Sequence, residues 1–315
     1  MVPKYMSHTK KITSSAESNT RPILIIGAPR SGTTLLTTML NAHPNIFMAN
    51  EAKIFVRLLP HKDKYPSPID ERTAYSIIKR LETQELYYLS PLPTVAEILQ
   101  GHTNMDLTMF LRALFEALAS REGKKRWGEK TAVAYRQLNL ICKSFPDAHL
   151  LAVERNPYEM AASYIKINPK WGALGALIHW LDFKRAIARE ISPKSKILIV
   201  SYEKLVTHPD SALREACNHI GEKFDVAMLD FYKTARANSL ASDKTYAGPA
   251  RPLYRPPGPP DYLHHGLKGT IIHHLISGAP RIERRPTLLY LIVKTWVYIH
   301  AVLWEIKNKI LRNQH

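Results

Sequence analysis

The sequence predicts an α/β fold, with a mostly parallel central sheet flanked by helices and a helical C-terminal extension. Three observations carry this expectation. Short runs rich in β-branched residues, at 23–26, 149–153 and 197–200, have the length and continuous apolar character of strands buried on both faces. Helical-period segments separate them, and such separations suit parallel crossovers. The first run ends in the glycine-bearing turn Gly27-Ala28-Pro29-Arg30-Ser31-Gly32-Thr33-Thr34, directly before an apolar helical face at Leu35, Leu36, Met39 and Leu40.

Taken in order, residues 1–21 form a basic leader rich in Ser and Thr, without apolar periodicity. An α/β domain is expected over 22–245. Its first helix stops at His43-Pro44, and the proline-bearing stretch 61–70 reads as loop. Helical spacing returns around Ala74 to Leu81, and again at Leu107, Phe110, Leu111, Leu114, Phe115 and Leu118. After the second strand, Pro157 suits the first turn of a helix running through Met160 and Tyr164. A further helix covers about 174–190, and another carries Leu213, Ala216, Cys217 and Ile220 before Gly221. Six prolines between Pro249 and Pro260 mark 246–285 as a Pro-rich basic loop region. Residues 286–315 read as an apolar and basic C-terminal helix, expected to dock on the core or on a second copy in a homodimer. Its alternative is peripheral contact with a membrane surface, backed by Arg281, Arg284 and Arg285.

The chain has 315 residues, 45% hydrophobic and 23% charged, an ordinary globular composition able to bury a core. Its 44 basic against 27 acidic residues give +17, which points to anionic partners. Between Lys244 and His315 there are 11 Lys and Arg against 3 Asp and Glu, so +8 of that charge lies at the C-terminal end. Two cysteines, Cys142 and Cys217, make no disulfide framework, and Cys217 is expected as a buried free thiol. With no apolar signal-type run in the leader, the expected location is the cytoplasm, at the membrane surface if the terminal helix binds there. The pairs His264-His265 and His273-His274 lack the spacing of a metal site, so no metal is expected.

The glycine turn is the chemical centre of the sequence. A helix start aims free N–H groups and a positive dipole end at whatever sits in such a turn, which makes it an anion site. Gly27 and Gly32 occupy the two glycine positions of a Walker A loop, but Thr33 stands where that loop has its lysine. ATP or GTP hydrolysis is disfavoured without that lysine. Arg30, Ser31, Thr33, Thr34 and the backbone amides are the groups left to grip a compact anion. In an open α/β sheet, ligands collect at the carboxyl ends of the strands, where Arg30, Lys130, Arg155 and Tyr202 are expected.

Pro29-Arg30-Ser31-Gly32-Thr33-Thr34-Leu35-Leu36 resembles the 5′-phosphosulfate loop of the sulfotransferases, in the variant of the carbohydrate and tyrosylprotein branches. The resemblance covers about residues 22–235 and implies a P-loop-like sulfotransferase fold. It also implies 3′-phosphoadenosine 5′-phosphosulfate (PAPS) as co-substrate, held by Arg30, Ser31, Gly32, Thr33 and Thr34. Arg155-Asn156-Pro157 with Ser163 eight residues on resembles the family's 3′-phosphate motif, and Tyr202 matches a tyrosine near the nucleotide. Glu51, in His43-Pro44-Asn45…Asn50-Glu51-Ala52-Lys53, stands where tyrosylprotein sulfotransferases have their catalytic base; Glu129 is the competing base. Lys130, with Arg30, would stabilise charge on the transferring group. Proline often follows Glu-Lys-Thr in the family, and Ala132 stands here instead. The expected partner is a hydroxyl-bearing acceptor, a glycan, a lipid or a small metabolite, with no nucleic acid. The rival readings are an ATP-dependent small-molecule kinase and a non-enzymatic basic module that binds nucleic acid or membrane.

Overall fold

The computed structural model describes residues 21–84, 86, 89–99, 104–167, 172–190, 197–233, 266–277, 279, 287–297 and 299. Five strands form one sheet: β1 (Ile23–Gly27), β2 (Ile46–Asn50), β3 (Arg126–Lys130), β4 (His149–Glu154) and β5 (Ile197–Ser201). Their order is β2-β3-β1-β4-β5 and every neighbouring pair is parallel. Among the described residues, the helices α1 (Thr33–Asn41), α2 (Ile54–Arg57), α3 (Glu71–Gln84), α4 (Val95–Leu99), α5 (Leu107–Arg121), α6 (Leu138–Ser144), α7 (Pro157–Ile167) and α8 (Gly172–Glu190) lie between the strands, and α9 (Tyr202–Thr207) and α10 (Pro209–Ile220) follow β5. The expected α/β class, mostly parallel with helices on both sides, is the one observed.

β1 sits at the centre, with Ile23 beside Gly128 on one side and His149 on the other. Its alternate residues divide between two cores, as the twofold period of a strand requires. Ile23 and Ile25 pack with Leu36, Met39 and Leu40 of α1 and with Leu213, Ala216 and Cys217 of α10. Leu24 and Ile26 join the other face, where Phe47, Phe110, Phe115, Trp127 and Leu177 lie. Cys217 is the buried free thiol expected. Because the chain after β1 first builds one side of the sheet and later the other, a crevice opens at the carboxyl end of β1.

Two strands were not delineated by sequence pattern. β2 reads IFMAN and β3 reads RWGEK, and Ala, Asn, Gly, Glu and Lys are poor strand formers. Every residue of both is nevertheless buried. The β3 charges are held by partners distant in sequence: Arg126 donates to the Ile220 carbonyl (3.1 Å) and to Glu222 (2.8 Å). Polarity along the chain does not report such pairing.

The region expected as loop, 246–285, also contains a helix, Gly266–Ser277. The proline cluster ends at Pro260 and the next proline is Pro280, and between them Leu275 packs into the core with Ile271 and Ile276 against it. Residues 246–265 lie outside the described residues, as do the leader 1–20 and His264-His265. The terminal segment is helical at 288–297 and 299, and it docks on α8. Tyr290, Val293 and Val297 enter the core, and Lys294 pairs with Asp182 at 2.8 Å. Among the described residues no helix is long and apolar enough to cross a membrane.

Phe115 stacks on Trp127 with ring centroids 4.9 Å apart and lies 5.8 Å from Phe55. Phe115→Ala should lower the unfolding free energy by about 3–5 kcal/mol in urea titration followed by circular dichroism. A loss below about 1 kcal/mol would show that this aromatic stack does not anchor the helices to the sheet.

Candidate active site

The turn after β1 is built by two close approaches. A Cβ on Gly27 would lie 2.5 Å from Ser31 Oγ and 2.8 Å from the Val153 carbonyl. At Gly32, φ is 101° and a Cβ would lie 2.3 Å from the Tyr202 ring, so only glycine lets the turn fold under that ring. Gly32 also caps α1 without any side-chain hydrogen bond to the helix start. The first amides of α1 are therefore directed into the crevice. Ser31 Oγ and Arg155 Nε are buried and make no hydrogen bond. Both are donors, and buried donors are normally satisfied, so they fit the oxygens of a bound anion.

Four residues from three elements meet around this turn. Arg30 donates from Nε to Ser163 Oγ on α7 (3.1 Å). Arg155, at the end of β4, donates to the Arg30 carbonyl (3.3 Å) and to Glu159 (3.2 Å). Its guanidinium lies 4.2 Å from the centre of the Tyr202 ring, at the first turn of α9. The Asn156 amide donates to Glu203 (2.7 Å), which fixes the turn between β4 and α7. Ser163 is thus engaged by Arg30, while Arg155 stacks on Tyr202.

On the other side of β1, Lys130 ends β3 with its side chain fully buried. It donates to Glu51 Oε1 at 2.7 Å and to Thr34 Oγ1 at 3.1 Å, which joins β2, β3 and the head of α1. The Glu51 amide donates to the Lys130 carbonyl (2.6 Å), carrying the strand ladder one residue past β2. Glu51 keeps part of its side chain in solvent, 23%. Among the described residues, the non-glycine residues with left-handed backbone are Arg30 (φ 71°), Glu51 (φ 54°) and Lys53 (φ 53°). All three are at this crevice, where strained backbone is concentrated in binding and catalytic sites.

Glu129 turns away from Lys130, as neighbouring residues of a strand do. It is buried, accepts a hydrogen bond from Thr131 Oγ1, and Thr131 in turn accepts from the Lys53 amide (2.9 Å). Burial pushes its carboxyl up to about 8; the Thr131 hydrogen bond and the Lys130 charge offset this only in part. Ala132 opens a 3-10 turn, Ala132–Gln137.

The structure thus brings Arg30, Ser31, Gly32, Thr33, Thr34, Glu51, Lys130, Arg155, Ser163 and Tyr202 to one crevice along the sheet edge. Sequence reasoning missed the supporting groups Thr131, Glu159 and Glu203, and the strained Lys53. Among the described residues, no cluster of His, Cys, Asp and Glu is arranged to hold a metal ion.

A profile of the sulfotransferase family matches residues 22–226. The chain belongs to the sulfotransferase family. In fold, this sulfotransferase-family chain is similar to the sulfotransferase domain of the Synechococcus PCC 7002 olefin synthase, with a TM-score of 0.51 at 21% identity, over 93% of this chain and 98% of that one. It is likewise similar to the sulfotransferase domain from the curacin biosynthetic pathway, with a TM-score of 0.52 at 17% identity, over 84% and 97% of the two chains. In sequence it is 22% identical over 243 residues to the protein-tyrosine sulfotransferase of Drosophila melanogaster, covering 72% of this chain and 43% of that protein. It is 26% identical over 216 residues to protein-tyrosine sulfotransferase 1 of Danio rerio, covering 66% and 55%. The chain spans about half the length of these two relatives, or less.

Glu129 gives this sulfotransferase-family chain a testable pH dependence. The folded chain holds the Glu129 proton up to about pH 8, whereas the unfolded chain releases it near the ordinary 4.5. Between those values the unfolded state binds fewer protons, so stability falls as pH rises, by at most about 1.4 kcal/mol per pH unit. Glu129→Gln should remove that slope, so its melting temperature should gain on the parent steadily from pH 5 to pH 8. Parallel curves for the two proteins would show that Glu129 ionises freely in the fold.

Proposed function

We propose that this chain is a PAPS-dependent sulfotransferase that acts on an acceptor hydroxyl, with Glu51 as general base. The observation that carries this reading is the Glu51–Lys130–Thr34 contact at the head of α1, beside a turn with an unsatisfied buried Ser31 hydroxyl. Bound PAPS would supply the sulfuryl group, and its donor site is formed by Arg30, Ser31, Gly32, Thr33, Thr34, Arg155, Ser163 and Tyr202.

Each residue then has a physical task. The Glu51 carboxylate, whose Oε1 accepts from Lys130, takes the acceptor proton, and it is partly open to solvent. Glu129 is the weaker base candidate, because a carboxyl that holds its proton to about pH 8 cannot accept one at neutral pH. Lys130 orients Glu51 and presents a fixed positive charge to the oxygens of the leaving side. Arg30 adds a second positive charge, locked by Ser163 and by its left-handed backbone. Arg155 gives a guanidinium fork suited to phosphate oxygens, and the Tyr202 ring holds it flat. No step in this scheme uses a metal. The acceptor is a hydroxyl of a glycan, lipid or small metabolite.

Thermal shift with 3′,5′-adenosine bisphosphate, beside Mg-ATP and 5′-AMP, tests the donor site. At a hundredfold excess over Kd the bisphosphate should add about 2.7 kcal/mol of stability, and Arg155→Ala should lose most of that gain. Stabilisation by Mg-ATP alone would move the chain to the kinase class.

Glu51→Gln separates chemistry from binding. It should keep the bisphosphate shift and lower sulfuryl transfer from PAPS by about 10²–10⁴-fold in an acceptor screen. Unchanged turnover would remove Glu51 from the role of base.

A further inference from the structure

The guanidinium at the end of β4 already carries an anion that belongs to the chain itself. Arg155 donates from Nη2 to Glu159 Oε2 at 3.2 Å, with Arg155 buried and Glu159 nearly so. Its Nη1 donates to the Arg30 carbonyl at 3.3 Å, and the Tyr202 ring covers one face at 4.2 Å. Nε is buried and makes no hydrogen bond among the described residues. In a guanidinium, Nε and Nη2 form one edge, which can take two oxygens of a carboxylate or phosphate side by side. Glu159 therefore uses half of that edge.

Elsewhere in this chain the same edge is filled. Arg214 and Asp210 are also four residues apart, and Arg214 donates from Nε at 2.7 Å and from Nη2 at 3.1 Å, although that pair is exposed. The enclosed pair at Arg155 is the looser one, and it leaves a buried donor unsatisfied, which costs stability unless a ligand completes it. The other carboxylates at this end of β4 are committed to the fold. Glu154 pairs with Lys184 at 3.1 Å, and Glu203 accepts from the Asn156 amide at 2.7 Å and the Ser201 hydroxyl at 2.9 Å. Glu159 instead stands one helical turn before Ser163 on the same face of α7, between two members of the donor site.

We propose that Glu159 is a specificity-determining residue, whose carboxylate holds the place of a phosphate on Arg155 and competes with the second phosphate of the nucleotide. This rests on the donor site proposed above, in which the 5′ end of the nucleotide lies in the glycine turn and its 3′-phosphate reaches Arg155. A phosphate arriving at Nε brings negative charge beside the Glu159 carboxylate. Two anions then share one guanidinium, or Glu159 gives up Nη2. In both cases the carboxylate lowers the gain from the 3′-phosphate. A nucleotide without that phosphate leaves the Arg155–Glu159 pair intact and is indifferent to it.

Calorimetric titration of the full chain with 3′,5′-adenosine bisphosphate and with 5′-AMP tests this role. Glu159→Gln keeps the size of the side chain and removes its charge. Its Kd for the bisphosphate should fall about tenfold, while its Kd for 5′-AMP changes by less than about twofold. Glu159→Ala removes the hydrogen bond as well and should move the ratio of the two Kd values in the same direction, which assigns the effect to the charge. Melting temperatures without nucleotide report that each variant is folded. A bisphosphate affinity that is unchanged or weaker in the folded variants overturns the proposal, because Glu159 then only braces Arg155. A parent chain that binds the two nucleotides equally well overturns the donor site itself, and this role of Glu159 with it.

Discussion

A fully buried ammonium at the end of β3 sets the geometry of the crevice. Taking Lys130 out of water costs several kcal/mol unless partners replace the lost hydration. Glu51 and Thr34 do so, and each can only from a particular backbone. Glu51 reaches Lys130 because the chain turns left-handed just after β2. Thr34 is there because Gly32 lets α1 begin directly at the turn, under the Tyr202 ring. The sheet order makes this possible, since β3 lies between β2 and β1 and brings the lysine within reach of both.

The same strand separates two carboxylates into two electrostatic environments. Glu129 and Lys130 are neighbours in sequence and face opposite sides of the sheet. Glu129 is enclosed with Thr131 and the Lys53 amide, and burial favours its neutral form. Glu51 sits across the ladder, ion-paired and partly open to solvent. Two neighbouring carboxyl groups thus have opposite preferences: burial holds the Glu129 proton, and Glu51 is paired with a cation.

Much of this was legible in the sequence, and the parts that were not share a cause. The strand–turn–helix at Ile23 to Leu40 could be read from local pattern, because its apolar periodicity and its glycines are local requirements. Arg155 and Tyr202 could be placed because each follows a predicted strand, and Ser163 through its resemblance, eight residues after Arg155, to the sulfotransferase 3′-phosphate motif. The bounds of β2 and β3 could not be read, although Lys130 was expected at a strand end, because their buried polar residues are balanced by partners such as Glu222, which is 96 positions from Arg126. The helix Gly266–Ser277 was obscured by the prolines ahead of it, whose effect does not extend past Pro260. Nor does any residue type announce the left-handed backbone of Glu51 and Lys53: Asn, Asp and Gly favour that region, and glutamate and lysine do not.

That strain needs support from the rest of the molecule. A left-handed conformation at a non-glycine residue costs of order 1–3 kcal/mol, and three of them together are comparable with the 5–15 kcal/mol that separates folded from unfolded domains. They persist because the segments that bear them are clamped between rigid elements. Arg30 is held by Ser163 on α7 and by Arg155 directly after β4. Glu51 and Lys53 are held by Lys130 and Thr131 at the end of β3. Those elements are in turn fixed by the two apolar cores on either face of the sheet. A charged group held this way cannot relax toward its neighbours when a ligand's charge changes. Pre-set electrostatics of this kind stabilise developing charge without reorganisation at the moment of reaction. The apolar clusters therefore fix the charges of the crevice as directly as the hydrogen bonds that hold them.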